Sequence, residues 1–379
     1  MYKKFISSAL FLFLLFLLMG CQVTTTKSTD EEIDGGGDTA VTETDDSHDE
    51  AHSEEETHGD DHDHQTDHLV IYSGRSEELI QPLIDQFAEL TGIQVEVVYG
   101  DTAEMAANLL EEGEDSPADL FYAADPSGLG TIEDLGMLVP LPEEILSKVP
   151  PQFSSDNGEW VGVSGRARVV VYNPDVLSET ELPEDLWGFT EPKWKGRIGW
   201  APTNGSFQAM VTVMRASWGE KETADWLEAI QANEPVTYEK NTPIVAAVAA
   251  GEVDVGFVNH YYLYRFINEE GEAFAARNYF LPGGGPGSLI MVSGVGILGT
   301  AQNVANAEKF ISYLLSIPNQ QYFASQTFEY PLVDSVNIHP LLQPLTEIDQ
   351  NAIDIPASAM SDLLGTAVLL EEVQIMSNE

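Results

Sequence analysis

The chain has 379 residues and a formal net charge of −47, because 63 Asp and Glu face only 16 Lys and Arg. Such an acidic surface argues against nucleic-acid binding, which needs a basic face for the phosphates. It suits a cationic ligand, although acidity also serves solubility. The single cysteine excludes an internal disulfide.

The first twenty residues are typical of a bacterial signal peptide. Two lysines precede an apolar run at 10–18, which is too short to favour a membrane span. The segment 18–21 reads Leu-Met-Gly-Cys and resembles a lipobox, which predicts lipidation at Cys21. A lipid at Cys21 anchors a protein to the outer face of the cell membrane without spanning it. The alternative is an ordinary secretory signal with an incidental cysteine.

Residues 21–68 are predicted to form a disordered acidic tether. The part 30–68 holds 17 Asp and Glu, six His, and no Lys or Arg. It cannot bury enough apolar surface to offset the entropy of ordering. A divalent-metal scavenger acting through these histidines is one interpretation, and a solvated spacer is the other. Deleting 30–68 separates them, because weak zinc or nickel binding would vanish while binding by the body survives.

Residues 69–379 alternate strands and helices and are long enough for two lobes. Strand-like runs at 68–72, 93–97 and 118–123 are separated by helical patterns. This β-α-β-α-β order predicts an open, mostly parallel α/β sheet. Ligands bind beyond the carboxyl ends of the strands in such sheets, so the loops there are expected to converge on one cleft.

A second α/β pattern begins with apolar strands at 169–172 and 198–200. Asn204, Gly205 and Ser206 then open a helix. Free N–H groups at a helix start bind anions, and glycine lets a ligand approach closely. A plain capped helix is the alternative interpretation.

Adjacent tyrosines, Tyr261 and Tyr262, follow a strand-like run at 253–258. A phenolate is a hard anionic oxygen and selects hard cations. Because free Tyr has a pKa near ~10, only a strongly charged cation such as Fe³⁺ displaces its proton at neutral pH. The alternative is a pair of rim aromatics at a strand end. The neighbouring His260 is expected to support the tyrosines from behind or to face solvent, and a role as a base or a ligand is the alternative.

Seven stretches across 69–379 share a wider pattern. They are VIYSGR (70–75), SPADLFY (116–122), SGRARVVVY (164–172), PKWKGRIG (192–199), NHYYLY (259–264), PGSL (286–289) and EYPL (329–332). In this order they resemble the ferric-ion-binding proteins of bacterial ABC transporters, the bacterial transferrins. The resemblance covers essentially the whole body of the chain.

The resemblance implies a two-lobed α/β fold of the type II periplasmic-binding-protein class, with a ligand cleft between lobes that close by a hinge motion. The first lobe is predicted at 69–166 plus 291–341, and the second at 167–290 plus 342–379. It also implies an extracytoplasmic, lipid-anchored solute-binding protein that delivers cargo to an ABC permease and its ATPase. A monomer is expected.

Members of the family bind Fe³⁺ through two neighbouring tyrosines, which match Tyr261 and Tyr262. Carbonate or phosphate completes the iron shell as a synergistic anion, because two phenolates leave a net charge of +1 on Fe³⁺. The positions that match the family's anion site are Asn204, Gly205, Ser206, Asn241 and Asn259. Arg75 and Arg166 are further candidates, since a guanidinium matches these anions bidentately. For each arginine a structural ion pair is the alternative.

The chain departs from the family pattern in its other ligands. Where some members supply a His in the first loop, this chain has Arg75, and where some supply a Glu after the third strand it has Ala124 followed by Asp125. The region 201–204, where some relatives place a third tyrosine, has none. Iron is then held by two phenolates with anion and water, or Asp125 is a further ligand. Weaker, more exchangeable iron binding follows.

Two rival functions remain at this point. The same fold binds phosphonates, thiamine or polyamines in related proteins, and fold alone does not fix the ligand. An extracytoplasmic enzyme is disfavoured, because 69–379 contains no GxSxG, HExxH or SxxK motif and no cysteine.

Overall fold

The structure, a computed structural model, describes residues 67–376 apart from 349, 351, 354 and 356. The predicted signal peptide, Cys21 and the tether up to residue 66 lie outside the described residues. His68, the last residue assigned to the tether, is the first residue of a strand. Within the described part, no helix is both long and apolar enough to cross a membrane.

The described residues form eleven strands and twelve α-helices. The strands are β1 (His68–Ser73), β2 (Gln94–Tyr99), β3 (Leu120–Ala123), β4 (Leu138–Val139), β5 (Trp160–Tyr172), β6 (Ile198–Trp200), β7 (Val236–Thr237), β8 (Val255–Asn259), β9 (Arg277–Tyr279), β10 (Ile290–Leu298) and β11 (Tyr330–Pro331). The helices are α1 (Glu77–Thr91), α2 (Thr102–Glu112), α3 (Pro126–Asp134), α4 (Glu143–Leu146), α5 (Gly205–Trp218), α6 (Glu220–Ala232), α7 (Asn241–Ala250), α8 (Tyr261–Glu270), α9 (Val304–Leu314), α10 (Ile317–Gln326), α11 (Leu345–Ile348) and α12 (Leu363–Glu372).

The predicted β-α-β-α-β start is confirmed. β1 pairs in parallel with both β2 and β3, and α1 and α2 form the crossovers. Helix α1 buries one apolar face, which includes Leu83 and Phe87. It ends at Gly92, whose φ of 75° lies in the left-handed region that glycine adopts without strain. These local signals place the loop after β1 and the loop after β3 at the same edge of the sheet.

The long strand β5 joins two sheets. Its residues 160–167 pair antiparallel with β10, and its residues 168–172 pair antiparallel with β8. The strand order across both sheets is β2-β1-β3-β10-β5-β8-β6-β7. All thirteen residues of β5 are buried. The predicted two-lobed α/β fold is confirmed, and β5 is one of the strands that pass between the lobes.

Separate apolar cores lie under the two sheets. The largest draws its buried residues from 69–163 and 292–332. A second draws on 170–281 and adds Leu369 and Leu370 from α12. A third packs the α7 and α8 side of the second sheet. The exact lobe boundaries stay predictions.

Candidate metal and anion site

A cavity of about 700 Å³ lies where the loops after β1 and β3 face the starts of α5 and α8. Nine of the predicted site residues line it: Arg75, Asp125, Arg166, Asn204, Gly205, Ser206, Asn259, Tyr261 and Tyr262. The tenth, Asn241, is fully buried and contacts two of them, Asn204 and Ser206. Residues from distant parts of the sequence therefore meet at one place.

Tyr261 and Tyr262 occupy the first turn of α8, just beyond the end of β8. Their rings stack with centroids 4.2 Å apart and planes inclined by 29°. Tyr261 is buried and Tyr262 half-buried. Burial raises the pKa of the Tyr261 phenol, the neighbouring Tyr262 adds to the rise, and Arg166 opposes it. The phenol therefore keeps its proton unless a strongly charged cation displaces it.

His260 is fully buried, so of its two expected placements, behind the tyrosines or facing solvent, the second is wrong. Its Nδ1 accepts a hydrogen bond from the Ala167 N–H at 3.1 Å, and its Nε2 donates to the Phe328 carbonyl at 2.8 Å. The ring also stacks on Tyr330 at 4.6 Å. Burial lowers the pKa of His260 to about 4, which keeps it neutral. Both ring nitrogens are used, so His260 fixes the start of α8 and is not available as a ligand or base.

The start of α5 is held by a compact amide and hydroxyl network. The Asn204 Oδ1 accepts from the Ser206 N–H at 3.2 Å, the Ser206 Oγ at 2.6 Å and the Asn241 Nδ2 at 3.0 Å. A Cβ added at Gly205 would meet no protein atom within 4 Å, so this backbone faces open space. The positive end of a helix with exposed N–H groups is suited to an anion. These four residues are called the α5 cradle below.

Arg168, which the sequence reasoning did not select, contacts two residues that line the cavity. It is fully buried, and its Nη1 donates to the Asn259 Oδ1 at 3.0 Å and, at 3.5 Å, to the Ser206 Oγ of the α5 cradle. Its Nε and Nη2 have no hydrogen-bond partner among the described residues. Burial lowers the pKa of Arg168 to about 10, although the two phenols oppose the shift. The signal was present, since alternate residues of a strand share a face and Arg166 had been selected.

Arg75 forms the ion pair that was the alternative to anion binding. Its Nη2 donates to both carboxylate oxygens of Glu329, at 2.9 and 2.8 Å, and both side chains are buried. The Arg166 Nε lies 3.9 Å from the same carboxylate, beyond hydrogen-bond reach. Arg75 Nε, Arg166 Nε and Arg166 Nη2 have no hydrogen-bond partner in the part of the chain that is described. No local sequence signal had pointed to Glu329.

Asp125 is the N-cap of α3. Its Oδ1 accepts from the Ser127 N–H at 3.1 Å and from the Ser127 hydroxyl. The residue lines the cavity, and its Oδ2 takes no part in either contact. Among the described residues, no group of three His, Cys, Asp or Glu side chains could hold a metal ion. A metal in this cavity would therefore depend on phenol oxygens.

The buried charges around the cavity do not balance. The guanidiniums of Arg75 and Arg166 share the carboxylate of Glu329, whereas buried Arg168 has only the neutral oxygens of Asn259 and Ser206. A buried charge without a counter-ion is costly, and so are buried N–H groups without acceptors. The excess of buried guanidinium groups over carboxylates gives this region the charge and the donor groups that an anion requires.

The chain belongs to the bacterial extracellular solute-binding proteins, whose family model matches residues 82–348. It is a transport protein of the substrate-binding type and not an enzyme. It is 34% identical over 311 residues to the major ferric iron-binding protein of Neisseria meningitidis, covering 80% of this chain and 92% of that one. It is 32% identical over 288 residues to the Fe(3+)-binding periplasmic protein of Serratia marcescens, covering 76% and 85%.

Solved structures give the same result. Iron-bound HitA from Pseudomonas aeruginosa superposes with a TM-score of 0.76 at 32% identity, over 81% of this chain and 99% of that chain. The Trichodesmium protein solved in complex with iron and citrate superposes with a TM-score of 0.69 at 28% identity, over 81% and 99%. The resemblance of the sequence to the ferric-ion-binding proteins is thereby confirmed.

Proposed function

We propose that this protein captures Fe³⁺ together with a synergistic anion outside the cytoplasm and delivers it to an ABC permease powered by an ATPase. One observation carries the proposal: two stacked phenols open on the same cavity as Arg75 and Arg166, which share the carboxylate of Glu329, while a third buried arginine, Arg168, contacts the cavity residues Asn259 and Ser206. The names of the relatives, which are ferric-binding proteins, support iron as the cargo.

Tyr261 and Tyr262 bind Fe³⁺ as phenolates in this proposal. Fe³⁺ displaces both protons because it is a hard, strongly charged cation, and the nearby guanidiniums favour the anionic form. Asp125 is the third protein ligand through Oδ2, the oxygen that is not engaged in capping α3. Carboxylate and phenolate oxygens both suit a hard cation.

The anion, carbonate or phosphate, binds between the arginines and the helix start. The Gly205 N–H at the helix start receives it, and the unpartnered nitrogens of Arg168 and Asn259 donate to it. Asn204 and Asn241 hold the cradle in shape, while Arg166 and Arg75 complete the charge balance from the other sheet.

The proposed location of the protein in the cell is inferred from its sequence. A lipid on Cys21 would hold it at the outer face of the cell membrane, with 21–68 as the tether and a monomeric two-lobed body as the carrier. The lobes are proposed to divide at 166/167, 290/291 and 341/342.

A visible absorption titration tests the iron proposal. The purified protein is titrated with ferric citrate with and without bicarbonate, alongside Tyr261→Phe and Tyr262→Phe. We expect a phenolate-to-iron charge-transfer band in the parent that is lost in both variants. The matched control is Tyr313→Phe, since Tyr313 lies on α9 and bonds Gln86 away from the cavity. Absence of the band under every anion condition would remove iron as the cargo.

An organic anion in the same cavity is the second candidate. The excess of buried guanidiniums favours a phosphonate and disfavours thiamine or a polyamine, since both are cations. Calorimetry with a simple alkylphosphonate in iron-free buffer separates this candidate from the first, because a phosphonate carrier binds it without Fe³⁺ and without colour.

A further inference from the structure

A fourth arginine, Arg265, lies against the tyrosine pair from within α8. Its guanidinium carbon is 5.1 Å from the ring centroid of Tyr261 and 5.6 Å from that of Tyr262. The spacing explains the contact, because residues three and four apart on a helix face each other. Both distances lie within the range of about 6 Å over which a cation is attracted to an aromatic ring.

Arg265 is only half-buried, but its Nη2 is fully buried and has no hydrogen-bond partner in the described part of the chain. No salt bridge is formed there between Arg265 and an acidic residue. The side chain does not line the cavity, unlike Arg75 and Arg166. Its charge is therefore directed at the two rings and does not reach a cargo anion directly.

We infer that Arg265 is a positioning residue for the iron ligands, which holds the two phenol rings in their stacked arrangement and offsets their negative charge when both are ionised. This rests on the proposed function. The attraction between a cation and an aromatic ring grows when the ring carries a full negative charge, since a charge–charge term is added. A guanidinium behind the rings also lowers the energy of the phenolate electrons that are donated to the metal.

Two consequences follow for the loaded protein. Neutralising Arg265 raises the energy of the phenolate donor electrons, so the charge-transfer band moves to longer wavelength. Iron also binds less tightly, by about tenfold or more, which is the usual cost of removing a group that supports a metal ligand. A purely structural role predicts loss of stability without movement of the band.

The test compares Arg265→Met and Arg265→Gln, which remove the charge, with Arg265→Lys, which keeps it. Arg277→Gln is the matched control, because Arg277 bonds the carbonyls of Phe274, Ala276 and Glu272 and does not touch the tyrosines. The band of the full chain is recorded with saturating ferric citrate and bicarbonate, and the affinity by competition with a chelator.

We expect a red-shifted band and at least about tenfold weaker binding in both neutral variants, with parent-like values in Arg265→Lys and Arg277→Gln. A neutral variant with the parent band and affinity overturns the inference. So does an Arg265→Lys variant that shifts as far as Arg265→Met, and this arm remains informative if the neutral variants fail to fold. Absence of any band in the parent instead removes the proposed function itself.

Discussion

Arg75 and Arg168 are the same residue type and equally buried, but their surroundings differ in kind: Arg75 lines the cavity, and Arg168 lies against two of its lining residues, Asn259 and Ser206. Arg75 faces the carboxylate of Glu329, whereas Arg168 has only the neutral oxygens of Asn259 and Ser206. Burial alone lowers the pKa of each. The Glu329 charge, with help from nearby phenols, reverses the effect and raises the pKa of Arg75, while that of Arg168 falls to about 10.

The difference separates structure from function within one residue type. A buried arginine with a carboxylate partner has its charge balanced even when no ligand is bound. A buried arginine with neutral partners is a charge that only a ligand can balance. Under the proposed function Arg168 is then the main anion receptor, whereas Arg75 is part of the framework that holds the first sheet to the segment before β11.

The largest expected effect is the difference in stability between two single variants, Arg75→Met and Arg168→Met. Arg75→Met leaves Glu329 buried without its partner, and we expect a loss of about 3 kcal/mol of unfolding free energy, at the low end for a buried pair because Arg166 is near. Arg168→Met removes an uncompensated charge together with a hydrogen bond, so we expect a change within about 1 kcal/mol. Urea unfolding of the iron-free variants measures both. Equal losses would remove the distinction.

His260 extends the comparison to a group that is buried without its charge. Its pKa is about 4 in the folded protein and 6.5 when the side chain is fully hydrated, so the unfolded chain takes up the proton first as pH falls. Stability from this group is complete above pH 6.5 and lost progressively towards pH 4, by about 3 kcal/mol.

His260→Gln provides the control for that pH dependence. Glutamine keeps one acceptor and one donor for the Ala167 N–H and the Phe328 carbonyl, but it does not titrate. We expect the stability difference between parent and variant to shrink by about 3 kcal/mol between pH 7 and pH 4 in iron-free protein. A stability difference that stays constant over that range would show that burial does not lower the pKa of His260.

Arg168→Met is expected to weaken phosphate binding although it leaves the stability of the protein nearly unchanged. Loss of hydrogen bonds to a charged group costs about 1.5–3 kcal/mol, which corresponds to roughly 10- to 100-fold in affinity. Calorimetric titration with phosphate, with and without Fe³⁺, measures the change. Arg277→Gln removes the same charge elsewhere in the second sheet and should bind as the parent does. Parent-like phosphate affinity in Arg168→Met would shift the role to Arg166.

Asp125→Asn has the smallest expected effect. It removes a negative charge from the cavity, whereas the arginine variants remove a positive one. Asparagine is an equally good N-cap, so α3 and the stability of the protein should be preserved. Loss of an anionic iron ligand should weaken Fe³⁺ binding by about tenfold. Chelator competition measures the affinity, and Ser127→Ala, which removes only the hydroxyl contact, is the control. Unchanged iron affinity would assign Asp125 to capping alone.

The elements of the fold were accessible to sequence reasoning because they are locally encoded. The alternating pattern at 93–97 and the glycine at the end of α1 act over a few residues. The start of α5 was predicted for the same reason, since Asn204 bonds only two residues ahead. The tyrosines were expected just after a strand. Helix α8 was missed because it begins almost directly after β8, with only His260 between them.

The missing parts of the site depend on contacts between distant residues. Glu329 is 254 positions from Arg75, and nothing in its neighbourhood marks it as a counter-ion. The burial of His260 follows from its contact with Phe328, 68 positions away. Arg168 is the exception, because the two-residue repeat of β5 already placed it beside Arg166.

The continuity of β5 has a mechanical consequence. Arg166 pairs with β10 in the first sheet and Arg168 with β8 in the second, two residues along a single strand. Any bending of the chain at Ala167 therefore changes the angle between the sheets and the separation of the two guanidiniums in the same movement. Under the proposed function, a partner that separates the lobes would thus also weaken the binding of the cargo, and release would need no second conformational change.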